Sequence, residues 1–444
     1  MRTRFTWIVA ILALVSIGFV MACSTKYSSS SNGLVVVPTQ GSSVMETFSL
    51  DLSNGHAAQI NNVNGPPITG LSKSVILDPA GTFVYVLVTQ NPTLPAGPTN
   101  ITGIATFKVA SDGKLGSISG QTLNGESIYV NGQNNPPETV PSVPVALTMD
   151  SAGKFIFVAD SATVDSSGNQ IPGAVSVFSV GSDAGLSEVA NSPFVLPVNG
   201  VNAMFPAPCP STFSCSSASA LAVTPTVFPV EFAACSGVAP PATENLYVAD
   251  SLSYVLLNYS VDPAAGTLTL KAVSTTVAGV ATGSVPSGVA VDACNRFVYV
   301  ANAGPGANNV SAYTICSAVS QTCLQGDYSL LPVPGSPYPV GDLPGPIAAD
   351  AYGNFLYVVN TGSSTISAFR MSPATGTLTA LSPPTVATNS GSNSIAIRSD
   401  DSWLFVANFT SGNVSQYAIT PATGVLTPQA PITTLNYPSG VAVK

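Results

Sequence analysis

The chain is sparing with the side chains that do chemistry. It holds a single histidine, His56, and beyond its first thirty residues the only arginines are Arg296, Arg370 and Arg398. Acid–base chemistry at a carbonyl needs a proton-transfer group and a stabiliser for the developing oxyanion, gathered in one place. His56 stands in the polar stretch Ser53–Ala57, beside Asn54 and Gly55, and reads as an exposed turn residue. Glu138, Glu188, Glu231 and Glu244 are dispersed. No His/Cys/Asp spacing has the form of a zinc site, and no Asp-rich loop that of a calcium site. The Gly-rich turns lack the strand-to-helix setting of a phosphate loop, so neither a metal nor another cofactor is expected. What recurs is a set of polar residues closing short apolar runs: Asp78, Asp150, Thr224, Asp292, Asp350, Arg398 and Lys444. Each of these Asp residues precedes a Tyr or Phe by a fixed interval.

The interval belongs to a repeat, clearest in Ile347–Leu381. Ile347–Ala349 is a short apolar run, Asp350–Gly353 a turn and Phe355–Val359 a β-branched and aromatic run; Thr361–Thr365 is a polar break, Ile366–Phe369 alternates, and Ala374–Gly376 turns the chain into Thr377–Thr379. That pattern predicts four strands with tight connections. Asp at the first and Gly at the fourth position of the turn suit a type I geometry. The template returns at Ile76–Val86, Thr148–Asp160 and Val291–Asn302. It is degraded at Leu221–Asp250, where a long insertion intervenes, and at Ile395–Asn408, where Arg398 takes the Asp position. A seventh copy is split. Leu34–Leu50 reads as second to fourth strands without a first, and Ser439–Val443 as a first strand with nothing after it.

One such sheet cannot bury both faces, whereas radial packing buries them and pairing the two chain ends removes the open edge. The fold expected is all-β: a seven-bladed β-propeller of four-stranded antiparallel blades over residues 33–444, closed by the C-terminal strand. Val298–Asn302 and Leu356–Asn360, followed by Val310–Tyr313 and Ile366–Phe369, give the repeats a wording that resembles the YVTN-type repeats of the lactonase-like seven-bladed propeller family. The resemblance covers nearly all of residues 33–444. It implies the fold and leaves activity open, since the family joins 6-phosphogluconolactonase-like enzymes to surface proteins of no assigned activity. The family's enzymes use His, Glu and Arg in one cleft, a set that does not map onto this sequence.

At the N-terminus Arg2 and Arg4 precede the apolar run Trp7–Val20, which has the form of a signal-peptide core over residues 1–22. Val20–Cys23 resembles the lipobox of bacterial lipoproteins, which implies lipidation of Cys23; Ser24 after it favours the outer membrane. Residues 23–32 then form a Ser-rich tether. Charged residues make up only 7% of the chain against 45% hydrophobic, and the net charge is −9. With no basic patch to neutralise phosphates, nucleic-acid binding is disfavoured. Six cysteines remain, Cys209, Cys215, Cys235, Cys294, Cys316 and Cys323. Of fifteen possible pairings, repeat topology favours 209–215, 316–323 and 235–294. The last closes a loop of about 60 residues, worth ~4 kcal/mol in chain entropy, and an exported location suits oxidised thiols.

In such a blade the first strand lines the channel and the chain zigzags outward. First-to-second and third-to-fourth turns therefore share one face, and second-to-third loops and blade-to-blade connections share the other. That other, looped face is expected to carry Thr89–Thr102, Leu123–Val143, Ser161–Gly173, Asn191–Ser217 and Ala303–Asn309, and loops on a rigid ring are a usual seat of binding. The recurring ring from Asp78 to Lys444 converges on the opposite channel mouth, as a site for a cation or polar ligand or as turn chemistry alone. Asp160, Asp250, Asn302, Asn360 and Asn408 end the second strands and are expected to cap the loops that follow. Three readings stand: a lipid-anchored envelope module binding a glycan, peptide or protein; a lactonase-like enzyme; and a surface protein without a discrete ligand.

Overall fold

The computed structural model describes residues 32–40, 44–63, 71–89, 102–117, 143–164, 170–197, 216–224, 244–271, 279–316 and 330–444. They form seven antiparallel sheets of four or five strands and one two-stranded ribbon, Thr163–Val164 with Gln170–Ile171. Numbered from the composite blade, blades 2 to 7 take their first strands from Leu71–Leu77, Val143–Met149, Ala218–Val223, Pro286–Val291, Pro344–Ala349 and Ser392–Ile397. Their second strands are Phe83–Thr89, Phe155–Ser161, Asn245–Asp250, Phe297–Asn302, Phe355–Asn360 and Trp403–Asn408. Successive first strands lie beside one another around the centre, so the sheets radiate from a channel as a seven-bladed propeller.

Blade 1 is built from both ends of the chain. Ala442–Val443 is its innermost strand and pairs with Asn32–Thr39, Val443 opposite Val35 and Ala442 opposite Val36. Lys444 N–H donates to Leu34 O at 2.9 Å and Leu34 N–H to Lys444 O at 3.2 Å. One boundary differs from the sequence reading: Leu34–Leu50 holds the second and third strands only, and the fourth is Ala57–Val63, beyond the turn that carries His56. In blades 3, 4, 5 and 7 the outer edge is also broken into two pieces that pair with the same third strand, as Leu426–Pro428 and Ile432–Thr433 do with Asn413–Ile419. Pro428 and Pro431 explain the break in blade 7, since proline cannot donate to a ladder.

The second strands are the spine of the core. In Phe355–Asn360 every residue is buried, and the same holds for Phe297–Asn302 and Trp403–Asn408. Apolar residues of these strands point alternately to the two neighbouring blades, so the seven large core clusters each belong to a seam between sheets; Tyr357 and Val359 of blade 6 meet Leu404 and Val406 of blade 7. Full burial of such an aromatic is worth about 2–3 kcal/mol. The Asp-to-aromatic interval gains its meaning at this seam. Tyr299 Oη donates to Gly376 O at 3.0 Å and Tyr357 Oη to Gly424 O at 2.8 Å, each on the next blade. Those glycines stand at φ +72°, and a side chain there would strike the rings of Phe297 and Phe355. In blades 3, 5, 6 and 7 the aromatic that opens the second strand, Phe155, Phe297, Phe355 or Trp403, thus seats against a left-handed glycine of the next blade.

Because the second strand runs opposite to the first, Asn32 enters blade 1 on the turn face, and Gly33 lies against Arg398 and the Lys444 carbonyl. Among the described residues no helix is long and apolar enough to cross a membrane.

Candidate functional site: the two mouths of the channel

At the turn-face mouth the recurring polar residues are occupied by backbone. Asp78 Oδ1 accepts the N–H groups of Thr82 and Phe83, both at 2.6 Å, and Asp150 Oδ1 those of Lys154 and Phe155, also at 2.6 Å. Asp292 and Asp350 repeat the arrangement with Arg296 and Phe297, and with Asn354 and Phe355. In blade 4 the Thr224 hydroxyl takes over, accepting Asn245 N–H at 2.8 Å. The turn then reverses through a left-handed residue, Gly81, Gly153, Asn295, Gly353 or Asp401. Each carboxylate folds its own turn, which suits an acceptor that can serve two adjacent N–H groups at once.

A second layer of contacts ties each turn to the next blade. Asp401 of blade 7 accepts Ala351 N–H at 2.9 Å and Tyr352 N–H at 3.1 Å from blade 6, and Glu244 of blade 4 accepts the Ser151 hydroxyl of blade 3 at 2.7 Å. Arg296 bonds Asp292 through Nε at 2.8 Å and reaches Pro373 O of blade 6 at 3.1 Å. Arg398 donates from Nε to Lys444 O at 3.2 Å and pairs with Asp400, while Lys444 Nζ donates to Ala80 O at 3.0 Å. Arg398, Lys444 and the turn of Asp78 are therefore brought together, and both bases are spent on joining blades 7, 1 and 2. His56 is exposed in the third-to-fourth turn of blade 1, its N–H donating to Asn54 Oδ1 at 2.8 Å. Among the described residues, no group of three or more His, Cys, Asp or Glu could hold a metal.

The looped-face mouth is bound by a different girdle. Ser219 Oγ donates to Pro286 O and Ser287 Oγ to Pro344 O, both at 2.6 Å; Thr361 Oγ1 donates to Ser392 O at 2.8 Å, and Asn393 Nδ2 to Pro438 O at 3.3 Å. Ser439 and Ser72 close the series at 2.7 Å. Behind it lie the residues that end the second strands. Asp250 caps as expected, Oδ1 accepting Ser217, Leu252 and Ser253 N–H. Asn302, Asn360 and Asn408 do something else: Nδ2 donates across the sheet to Ser311, Ser367 and Ser415 at 2.8–3.0 Å. Ser392 Oγ donates to Asn408 Oδ1, but Pro286 and Pro344 fill that position in blades 5 and 6, and the buried Oδ1 atoms of Asn302 and Asn360 have no partner among the described residues.

Sequence reasoning missed the residues that project from this face. Tyr254, Val285, Leu343 and Tyr437 have φ of 57°, 49°, 47° and 45°. A bulky or β-branched residue there is a backbone outlier costing about 1–3 kcal/mol. Blade 7 avoids the cost: Gly412 and Gly391 hold the corresponding positions, matched through the bonds Gly412 N–H to Asn408 O and Phe409 N–H to Gly391 O, whereas blades 5 and 6 place the smaller polar Asn308 and Ser364 where blade 4 has Tyr254. The side chains repay little of it by packing: Leu343, Tyr437 and Tyr254 are 50%, 49% and 45% exposed, with Tyr437 resting on the Phe409 ring. The recurring pairs Val285-Pro286, Leu343-Pro344 and Tyr437-Pro438 ahead of a first strand were the available signal.

Cys294 and Cys316 are buried on the turn face, and each takes part in a disulfide. Cys23, Cys209, Cys215, Cys235 and Cys323 lie outside the described residues, as do most residues of the expected loops 89–102, 123–143 and 191–217.

A sequence model of the family described as Lactonase, 7-bladed beta-propeller matches residues 237–382 and 342–444. No curated protein matches the chain. Among solved structures, a candidate 6-phosphogluconolactonase from Bacteroides fragilis aligns at TM-score 0.65 and 18% identity over 94% of this chain and 99% of that one. The periplasmic gluconolactonase of Pseudomonas aeruginosa aligns at 0.63 and 16% over 93% and 99%, and a protein from Lactobacillus plantarum at 0.60 and 15% over 93% and 99%. At these identities the likeness is one of fold.

The turn face carries a proton equilibrium of its own. Burial, with Asp401 nearby, pushes the Asp350 carboxyl up to about 7 against its N–H donors. Burial raises Asp401 as well. Only 2% of Asp350 is exposed, which keeps it from any ligand. A folded-state pKa above the unfolded value of 3.8 gives stability that is full at low pH and is lost as pH rises through about 7. Asp350→Asn, whose Oδ1 can still accept from Asn354 and Phe355, is expected to remove a slope of up to about 1.4 kcal/mol per pH unit. The variant should gain on the wild type as pH rises from about 4 to about 7, where the loss accrues, and be the more stable of the two at pH 8. Urea midpoints near pH 5 and pH 8 check this, and an equal decline in both proteins would mean that Asp350 stays ionised in the fold.

Proposed function

We propose that the protein is a lipid-anchored binding propeller of the cell envelope that presents its looped face to a ligand. One observation carries the reading: Tyr254, Leu343 and Tyr437 are held in strained backbone, are exposed, and all lie on that face. Strain kept with little packing in return is a mark of a functional surface. The turn face offers less, because Arg398, Lys444 and the buried Asp residues are engaged in folding turns and joining blades.

Anchoring fits this orientation. A lipid on Cys23 leaves nine residues to Asn32, a reach of at most ~30 Å for an extended chain. Asn32 enters on the turn face, so a tether of that length favours the turn face toward the membrane and the looped face away from it.

A second reading, a lactone hydrolase resembling the 6-phosphogluconolactonases, is favoured by the family match over residues 237–382 and 342–444. It asks for an acid–base group beside a cation at one mouth, and His56 and Arg398 sit at separate places on the turn face.

Replacing Tyr254, Leu343 or Tyr437 by Gly should leave stability unchanged or raise it by about 1 kcal/mol, through relief of the left-handed strain. Denaturant unfolding of each variant decides this, and a loss above about 2 kcal/mol would assign the side chains to folding instead. Titration of acid released from a panel of sugar and aliphatic lactones separates the two readings. The expected result is no turnover; hydrolysis that disappears in Arg398→Ala, with the fold retained, would put the enzyme ahead. Cys23→Ser is expected to free the chain from membranes in fractionated cells, and undiminished association would refute the lipid anchor.

A further inference from the structure

We propose that the ligand of the looped face is an uncharged polysaccharide lying across the channel mouth; this rests on the looped-face reading above. The described residues of the two faces differ in charge. Among the described residues, the exposed charges of the looped face are Lys73 and Asp342, whereas the turns of the other face carry Asp112, Lys114, Asp183, Asp262 and Asp400, among others. A surface so poor in bases gives a polyanion or a phosphorylated ligand little to bind, since such ligands are held by clustered bases.

The contact groups have the chemistry of neutral recognition. Tyr254 and Tyr437 offer flat, rigid and amphipathic area at low entropic cost, with Ser, Gly and Asn around them as adaptable hydrogen-bonding groups. Tyr437 is braced by Phe409, the ring centroids 5.1 Å apart. Each tyrosine is followed at once by a strand or a proline that fixes its direction: Tyr254 by Val255–Val261, and Tyr437 by Pro438.

Spacing decides between a saccharide and a protein partner. A protein interface concentrates its energy in a contiguous, desolvated centre. Here the exposed apolar groups fall in separate small patches around the ring, Val143 on blade 3, Leu252 and Tyr254 on blade 4, Leu343 between blades 5 and 6, and Leu435 and Tyr437 leading into blade 1, with hydroxyls and amides between them. A long chain whose sugar rings have apolar faces and hydroxyl rims meets such an alternation without needing one continuous patch.

The test is retention of the full chain, purified in detergent, on cellulose, chitin and immobilised galactomannan, with polygalacturonate as the charged comparison. Retention on at least one uncharged polymer and none on polygalacturonate is expected. The double variant Tyr254→Ala/Tyr437→Ala should weaken retention roughly ten-fold or more, equivalent to ~1.4 kcal/mol. Tyr352→Ala, at an exposed tyrosine of the turn face, should leave it unchanged. No retention on any uncharged polymer, or equal retention by the double variant, overturns the proposal. A photo-crosslinking side chain at position 343 separates the levels of failure. Crosslinking to an envelope protein without polysaccharide retention would overturn the saccharide and keep the binding face; neither crosslinking nor retention would overturn both.

Discussion

Two residue pairs, Val443 with Val35 and Ala442 with Val36, hold the ring closed, and the other features depend on that closure. A blade buries its two faces only against its neighbours, so an open ring leaves two sheet faces and a long strand edge in water. Two pairs make a short seam, and the surrounding contacts reinforce it. Lys444 reaches Ala80 of blade 2, Arg398 reaches the Lys444 carbonyl from blade 7, and Ser439 meets Ser72 on the looped side.

This closure changes the meaning of the turn-face mouth. Arg398 and Lys444 stand on adjacent blades, which by register alone makes a cationic corner for a ligand. Their donors are instead directed at main-chain carbonyls of neighbouring blades. The carboxylates follow the same rule, each accepting two N–H groups of its own turn, because a tight reversal leaves those N–H groups without ladder partners. The degraded blades borrow from their surroundings: Asp401, in the position of a turn glycine, serves the turn of blade 6.

On the looped face stability and exposure pull apart. The inner girdle from Ser219 to Asn393 joins blade to blade with hydrogen bonds, giving a firm base. Above it Val285, Leu343, Tyr437 and Tyr254 take a backbone conformation that glycine provides freely in blade 7. A rigid ring can carry such local strain because its seams are fixed by buried aromatics such as Tyr299 and Tyr357. The unpartnered oxygens of Asn302 and Asn360 are a further local cost, traceable to Pro286 and Pro344.

The sequence by itself determined the blade. Period-two runs, Asp-to-Gly turns and a fixed interval to a buried aromatic are local properties, and their recurrence sets the number of sheets, while the split copy demands closure. It also determined that acid–base and metal-binding groups are few. Tertiary structure alone decided which polar groups are free. Whether Asp350 or Arg398 faces solvent or a neighbouring blade depends on contacts between residues far apart in the chain, as between Arg398 and Lys444. The boundary of the fourth strand at Ala57 and the two-piece outer edges follow from pairing and proline placement, which a periodic reading smooths over. The left-handed backbone of Leu343 and Tyr437 was hidden for the same reason: residue type argues against that conformation, and only the path from one blade to the next imposes it.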